Sequence, residues 1–411
     1  MQAGNIRCDG IRRASVFNNI VRGGQALLAR GLSGKNMFSM FAADLVTQHG
    51  AFDLRFYWHI DDQYAIGLTG QAVFDQQRYD PEEIRGGSSL HLAARFLLDW
   101  AAVIALVMCF IAFTLIKGSR FMSFNNMINI LRAMSITTVF AIAATVTMAP
   151  DGFDMSACTL ASCSAYVFVS MYLWYGLPLL ACVLITIAVT LVMYQLTMFL
   201  ILVCKIPDML ATCALQFVHQ GLGQWYIGGG AVSTGMRTPA GAQPARIKLE
   251  PAFSAIGKEP WLIIIMLICV LIAHVFLEYT KHGRFIYAMG GNKQAAKLSG
   301  INVKAYRYLA GMITAVFVAI GGILVASRGS SAQVMCCDNY LMQSLAAVFV
   351  GRSVGGAERP NALGTLIGAM LVSTLENGLT ICAVPFYVLP AVKGAVLALA
   401  LVAAYATKKE Q

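Results

Sequence analysis

The sequence predicts an all-α polytopic membrane protein of about ten transmembrane helices, some of them broken, behind a non-membrane N-terminal extension. Three observations carry this. Of the 411 residues, 58% are hydrophobic and only 12% charged, with a mean hydropathy of +0.67, whereas soluble domains carry about 25% charged residues. From Leu92 onward, apolar runs recur, many near the roughly 20 residues that cross a bilayer. The formal net charge of +10 is also uneven: residues 1–90 hold nine Lys/Arg and nine Asp/Glu, so the whole excess belongs to the apolar part. Cations in the loops between spans suit retention on the cytoplasmic side, and they argue against nucleic-acid binding, which needs a concentrated basic face on a soluble module.

Residues 1–91 form the extension. No run there approaches the length of a span, and Gly, Asn, Gln and charges alternate with short apolar patches, so the segment reads as a loosely ordered cytoplasmic addition. Its first 35 residues set Arg7, Arg12, Arg13, Arg22, Arg30 and Lys35 against Asp9, a solvated basic arm or a surface drawn to anionic lipid headgroups. The segment lacks the apolar core and cleavage site of a signal peptide.

The transmembrane region, residues 92–411, has apolar runs near 94–116, 127–148, 155–175, 177–204, 208–226, 260–279, 307–327, 341–351, 362–383 and 386–407. The fifth opens with Pro207 and Asp208, Pro at the first helical position and an acid at the positive helix end, which need no further role. Between the sixth and seventh, residues 280–307 carry Lys281, Arg284, Lys293, Lys297, Lys304 and Arg307 without an acid, and the tail ends Lys408-Lys409. Both are expected in the cytoplasm, and an even span count puts the N-terminus there too; Lys117 and Arg120 then face outward. The short run 341–351 ends at Gly351, followed by Gly355-Gly356 and Pro360, which predicts a broken or re-entrant helix beside a cavity. Pro150-Asp151-Gly152 gives a similar break between the second and third runs. Gly364 and Gly368, at GxxxG spacing, allow close helix approach.

The basic segment contains a short helix with its ends marked. Asn292 follows Gly290-Gly291 as a cap, Lys293 to Ser299 includes the helix formers Ala295 and Ala296, and Gly300 supplies a left-handed end. It is either an ordinary interhelical loop or a rigid lever between two membrane helices.

Several elements, in order, resemble the permease subunits of ribose- and arabinose-type bacterial ABC importers. They are Gly152-Phe-Asp-Met-Ser156, Lys205-Ile-Pro-Asp-Met-Leu-Ala-Thr212, Gly283 to Val303, Ser327-Arg-Gly-Ser-Ser-Ala-Gln333, Glu376-Asn-Gly-Leu379 and Val392-Lys-Gly394. The resemblance covers roughly residues 92–411. It implies that Gly290, Gly291, Asn292, Ala295, Ala296, Ser299 and Gly300 belong to a loop that docks into an ATPase subunit. It also implies two permease copies working with two ATPases and a periplasmic solute-binding protein in the bacterial inner membrane. The chain departs from the family at Pro150-Asp151-Gly152, where Thr-Gly-Gly is usual, and at Gly351-Arg352, where Gly-Gly is usual.

Charged side chains inside spans cost about 2.5–3.5 kcal/mol each at mid-span, and polar residues there call for a role. Asp154 and Ser156 follow the first break, where Asp154 either caps freed backbone amides or hydrogen-bonds a passing solute. Glu376, with Asn377, either joins an ion pair with Lys393 or Arg132 or contacts solute. The expected function is translocation of a monosaccharide or similar small polar solute into the cytoplasm by alternating access. The alternative is an ion-coupled secondary transporter using Asp154 or Glu376.

No catalytic machinery is legible. The nearest approach to a phosphate loop, Ser33-Gly34-Lys35-Asn36, lacks the first Gly and the hydroxyl after the Lys, so ATP hydrolysis is expected in separate subunits. No cofactor is expected. The eleven cysteines are scattered, mostly in apolar runs, and Cys336-Cys337 has neither CxxC spacing nor a nearby His, so no metal is expected.

Overall fold

In a computed structural model, the described residues are the strands 6–8, 39–48, 51–60 and 64–72, and then 100–395 apart from 247, 353, 355–358, 386, 390 and 393. Gly355, Gly356, Lys393, the tenth apolar run beyond residue 395 and the terminal lysines therefore lie outside the described residues, as does the basic arm apart from Arg7. The chain divides into two units, Met1–Leu90 and His91–Gln411.

The first unit, for which the sequence reading gave no regular elements, contains four strands among its described residues. β1 (Ile6–Cys8), β2 (Ser39–Gln48), β3 (Ala51–Ile60) and β4 (Tyr64–Ala72) form one sheet of order β1-β4-β3-β2. β2 and β3 pair antiparallel from Ser39 opposite His59 to Gln48 opposite Ala51, β3 and β4 from Phe52 opposite Ala72 to Ile60 opposite Tyr64, and β1 runs parallel to β4. The reason is visible in β3, where Phe52, Leu54, Phe56, Trp58 and Ile60 alternate with Asp53, Arg55, Tyr57 and His59. That period of two suits a strand, and β-branched or aromatic residues are the strand formers.

The second unit is helical: α1 (Ala101–Lys117), α2 (Phe124–Met148), α3 (Ala157–Leu173), α4 (Leu179–Leu202), α5 (Asp208–Ile227), α6 (Pro251–Ala255), α7 (Trp261–His274, continued by a wider turn to Tyr279), α8 (Lys281–Gly291), α9 (Lys293–Leu298), α10 (Val303–Gly329), α11 (Tyr340–Gly351) and α12 (Ala362–Ile381). Two three-residue strands, Ala231–Ser233 and Ser331–Gln333, pair antiparallel between them. Among the described residues six helical stretches are long and apolar enough to cross a membrane: α1 with its extension to Arg120, α2, α4, α7 with its continuation, α10 and α12. The expected count of ten is not reached. α3 and α11 are shorter, α5 is long enough but not apolar enough, and the last run is outside the described residues.

α2 and α10 form the centre, with 61% and 67% of their most apolar windows buried against 11% for α1 and 22% for α4. They run antiparallel, since Phe140 of α2 lies under Gly321 of α10 while Thr147 meets Thr314 through hydroxyls 2.8 Å apart. Apolar burial gives little drive between helices already in lipid, so close backbone approach and hydroxyl pairs hold such a bundle. Both are present: Gly322 rests on the Ala161 carbonyl and Gly368 on the Ala347 carbonyl, with no room for a Cβ at either, and Thr145–Thr365 and Ser164–Thr190 each close at 2.7 Å.

Candidate coupling and pore site

α8 and α9 follow directly on α7 and lead into α10, so one short connected stretch joins two candidate spans. Thr280 caps α8 by accepting from the Gly283 amide. Asn292 ends α8 and caps α9, its Oδ1 accepting from the amides of Gln294 (3.0 Å) and Ala295 (2.9 Å). Those two bonds satisfy donors that a helix start leaves open. Gly300, at φ +82°, ends the helix in the left-handed region, where a Cβ would be strained. The Ser299 hydroxyl donates to the Ala295 carbonyl at 3.0 Å, and Asn302 caps α10 through the Ala305 amide at 3.1 Å. Within α9, Ala296 is buried while Lys293, Gln294, Ala295 and Lys297 are exposed. The two glycines before it differ: a Cβ on Gly290 would collide with the Ala149 carbonyl, whereas Gly291 faces open space. Gly290 thus seats the end of α8 against the first helix break.

That break, residues 149–156, is satisfied internally. Asp151 takes a positive φ of 60° and its amide donates to the Met148 carbonyl at 3.0 Å. The Phe153 amide donates to Asp208 (3.3 Å) and the Met155 amide to the Thr212 hydroxyl (3.2 Å). Asp154 is buried, and its carboxylate accepts from the Ser156 amide and hydroxyl, both at 2.8 Å, and from the Tyr194 hydroxyl at 2.9 Å. Three donors on a carboxylate leave it little capacity for a visiting hydroxyl.

Arg307, counted in the sequence among the cytoplasmic-loop cations, is 8% exposed. Its guanidinium lies over Gly152, where a Cβ would strike it, donates to the Thr147 carbonyl at 2.9 Å and pairs with Asp208. Two sequence readings change here. Pro207 is the residue before α5, at φ −53° and ψ 137°, and not its first helical residue. Asp208 does more than complement a helix end, because it receives both Arg307 and the Phe153 amide.

The remaining intramembrane candidates do not gather at one point. Arg132 bonds Glu259 and Asn129, so the expected Arg132–Glu376 pair does not form. Arg132 sits one-third exposed at the end of the bundle where the α6–α7 link passes, which explains why its partner is a loop acid. Glu376 accepts from the Gln343 amide at 3.2 Å, and Gln343 in turn accepts from the Thr137 hydroxyl at 3.1 Å. Asn377 donates to Asn126 at 3.0 Å. Lys393, the other expected partner of Glu376, lies outside the described residues. Tyr194, Gln343, Arg307 and Asp208 are the participants that sequence reasoning missed. For Arg307 a signal existed: it opens the seventh apolar run, about one helical turn beyond the cap at Asn302.

At the second break, between α11 and α12, Arg359 pairs with Glu278 at 2.8 Å and lies 4.2 Å over the Tyr287 ring. The Tyr287 hydroxyl is within hydrogen-bonding range of Glu278 (3.2 Å) and the Pro360 carbonyl (2.9 Å). Asn361 caps α12 through the Gly364 amide at 2.6 Å.

Residues 126–405 match the family described as branched-chain amino acid transport system / permease component. The chain is 29% identical over 311 residues to the ribose import permease protein of Escherichia coli, covering 74% of this chain and 93% of that one. It is 25% identical over 350 residues to the xylose transport system permease protein of Haemophilus influenzae, covering 72% and 93%. With its capped segment between two spans, its paired helix breaks and a family match across more than half its length, the chain belongs to this family of membrane transport permease components.

Proposed function

We propose that the chain is the transmembrane permease of an ATP-binding-cassette importer for a monosaccharide, working in the bacterial inner membrane. The single observation that carries this is the doubly capped α9, a rigid two-ended element held between α8 and α10, in a chain whose relatives are a ribose import and a xylose transport permease. α9 docks into an ATPase subunit, which hydrolyses ATP outside this chain. A second permease copy completes the pore, a periplasmic binding protein delivers the sugar, and both termini face the cytoplasm. Alternating access follows when the ATPases close and reopen. The ion-coupled alternative loses ground because Asp154, one of its two candidate ion sites, is already occupied by three internal donors.

The test is the energy source. Cells expressing the chain with its neighbouring ATPase and binding protein should take up labelled D-ribose or D-xylose when a protonophore collapses the ion gradient, and should stop when the ATPase loses its phosphate-loop Lys. Uptake that follows the ion gradient and ignores the ATPase would overturn the reading.

A further inference from the structure

The stretch from Glu278 to Arg307 touches both interrupted helices, through one guanidinium each. At its far end, α9 is joined to the first turn of α10 by residues 299–302, braced by Gly300 at φ +82° and by the Asn302 cap. One turn on, Arg307 grips the Thr147 carbonyl at the end of α2 and Asp208 at the start of α5, and Asp208 also holds the Phe153 amide. At its near end, Glu278 and Tyr287 bracket Arg359, and the Tyr287 hydroxyl reaches the Pro360 carbonyl. The planar fork of Arg fixes direction as well as distance, which a Lys point charge does not.

Resting on the reading of α9 as the docking element, we propose that Arg307 and Arg359 are positioning residues that carry displacement of α9 to the two helix breaks separately, Arg307 to residues 149–156 and Arg359 to residues 359–361. α9 cannot shift without moving the first turn of α10 or breaking the Asn292 and Asn302 caps. Moving that turn draws on Thr147, Asp208 and Phe153 together, on three sides of the first break. Moving α8 draws on Tyr287, and so on Pro360. Each latch joins discrete packed elements, the kind of contact through which a local shift becomes a two-state change.

Amide hydrogen exchange on the permease–ATPase complex tests this. In the unmodified chain, ATPase docking should protect α9 and change exchange at Phe153 to Ser156 and at Asn361 to Gly364 by about tenfold, the factor one charge-assisted hydrogen bond supplies. Arg307→Lys should abolish the response at the first break and keep it at the second; Arg359→Gln should do the reverse. Should Arg307→Lys not fold, Asp208→Asn, which removes the carboxylate charge that Arg307 grips, takes its place with the same expected pattern. A purely structural role would loosen a break without selectively removing its response to docking. If α9 is protected but both breaks respond alike in all variants, or neither responds in the unmodified chain, the inference is overturned. If α9 is not protected at all, the docking reading itself falls.

Discussion

The two helix breaks face the same physical problem and meet it differently. Ending a helix in apolar surroundings frees backbone groups that lipid cannot satisfy. At 149–156, the amides of Asp151, Phe153, Met155 and Ser156 all find protein acceptors, the carboxylate of Asp154 accepts three bonds, and the Arg307 side chain is only 10% exposed. At the second break the corresponding cation, Arg359, is 45% exposed and lies on a ring face as much as in an ion pair. The first break is therefore a closed polar knot whose parts depend on one another. The second holds its cation in a more exposed latch, whose opening costs less.

Removing one partner from each latch breaks or sharpens that contrast most strongly. Asp208→Ala leaves Arg307 buried without its counter-charge and should cost about 3 kcal/mol, seen as a large drop in melting temperature of the purified chain in detergent. Arg359→Ala should cost under about 1 kcal/mol after solvent screening. Equal losses at the two sites would erase the distinction.

Next in size is a paired glycine test. Gly290→Ala forces a methyl into the Ala149 carbonyl, a backbone atom that cannot step aside, and should reduce both folded protein and uptake; Gly291→Ala points into open space within the chain and should leave the amount of folded protein unchanged. Membrane-fraction immunoblots with parallel uptake assays read both. Tyr194→Phe, which removes one of three donors to Asp154, should cost about 1 kcal/mol in the same melting assay.

The smallest effect belongs to Glu259, whose carboxyl is held below its ordinary range by the hydrogen bonds Arg132 donates. A depressed carboxylate stabilises above its unfolded-state value, near 4.5, and loses that contribution as pH falls through its folded-state value. Because Glu259 is solvent-exposed, the melting temperature of the native chain should fall only slightly more than that of Glu259→Gln as the pH is lowered from about 5 to below 4.5.

Much of the helical unit was legible because lipid imposes a simple rule on composition and length. Nine of the ten apolar runs correspond to described helices, within a few residues at most ends. The caps at Asn292 and Gly300 were legible for a different reason, since capping is local chemistry. The first-unit sheet went unread because a search for span-length apolarity passes over the period-two alternation of Phe52 to Ile60. Arg307–Asp208 was hidden by its separation of about a hundred residues: each looked adequately explained by its own helix, and only packing brings them together. Arg132 failed in the opposite sense, because an apolar run around it concealed that it sits where Glu259 can reach.

α9 is the element through which the proposed ATPase drives this chain. Proteoliposomes holding the permease, its ATPase and its binding protein should accumulate labelled D-ribose or D-xylose only with ATP. Deleting Lys293 to Ser299 should abolish both that uptake and co-purification of the ATPase, while the chain remains inserted in the membrane. ATP-dependent uptake at the unmodified rate, with the ATPase still bound to the deleted chain, would contradict the account.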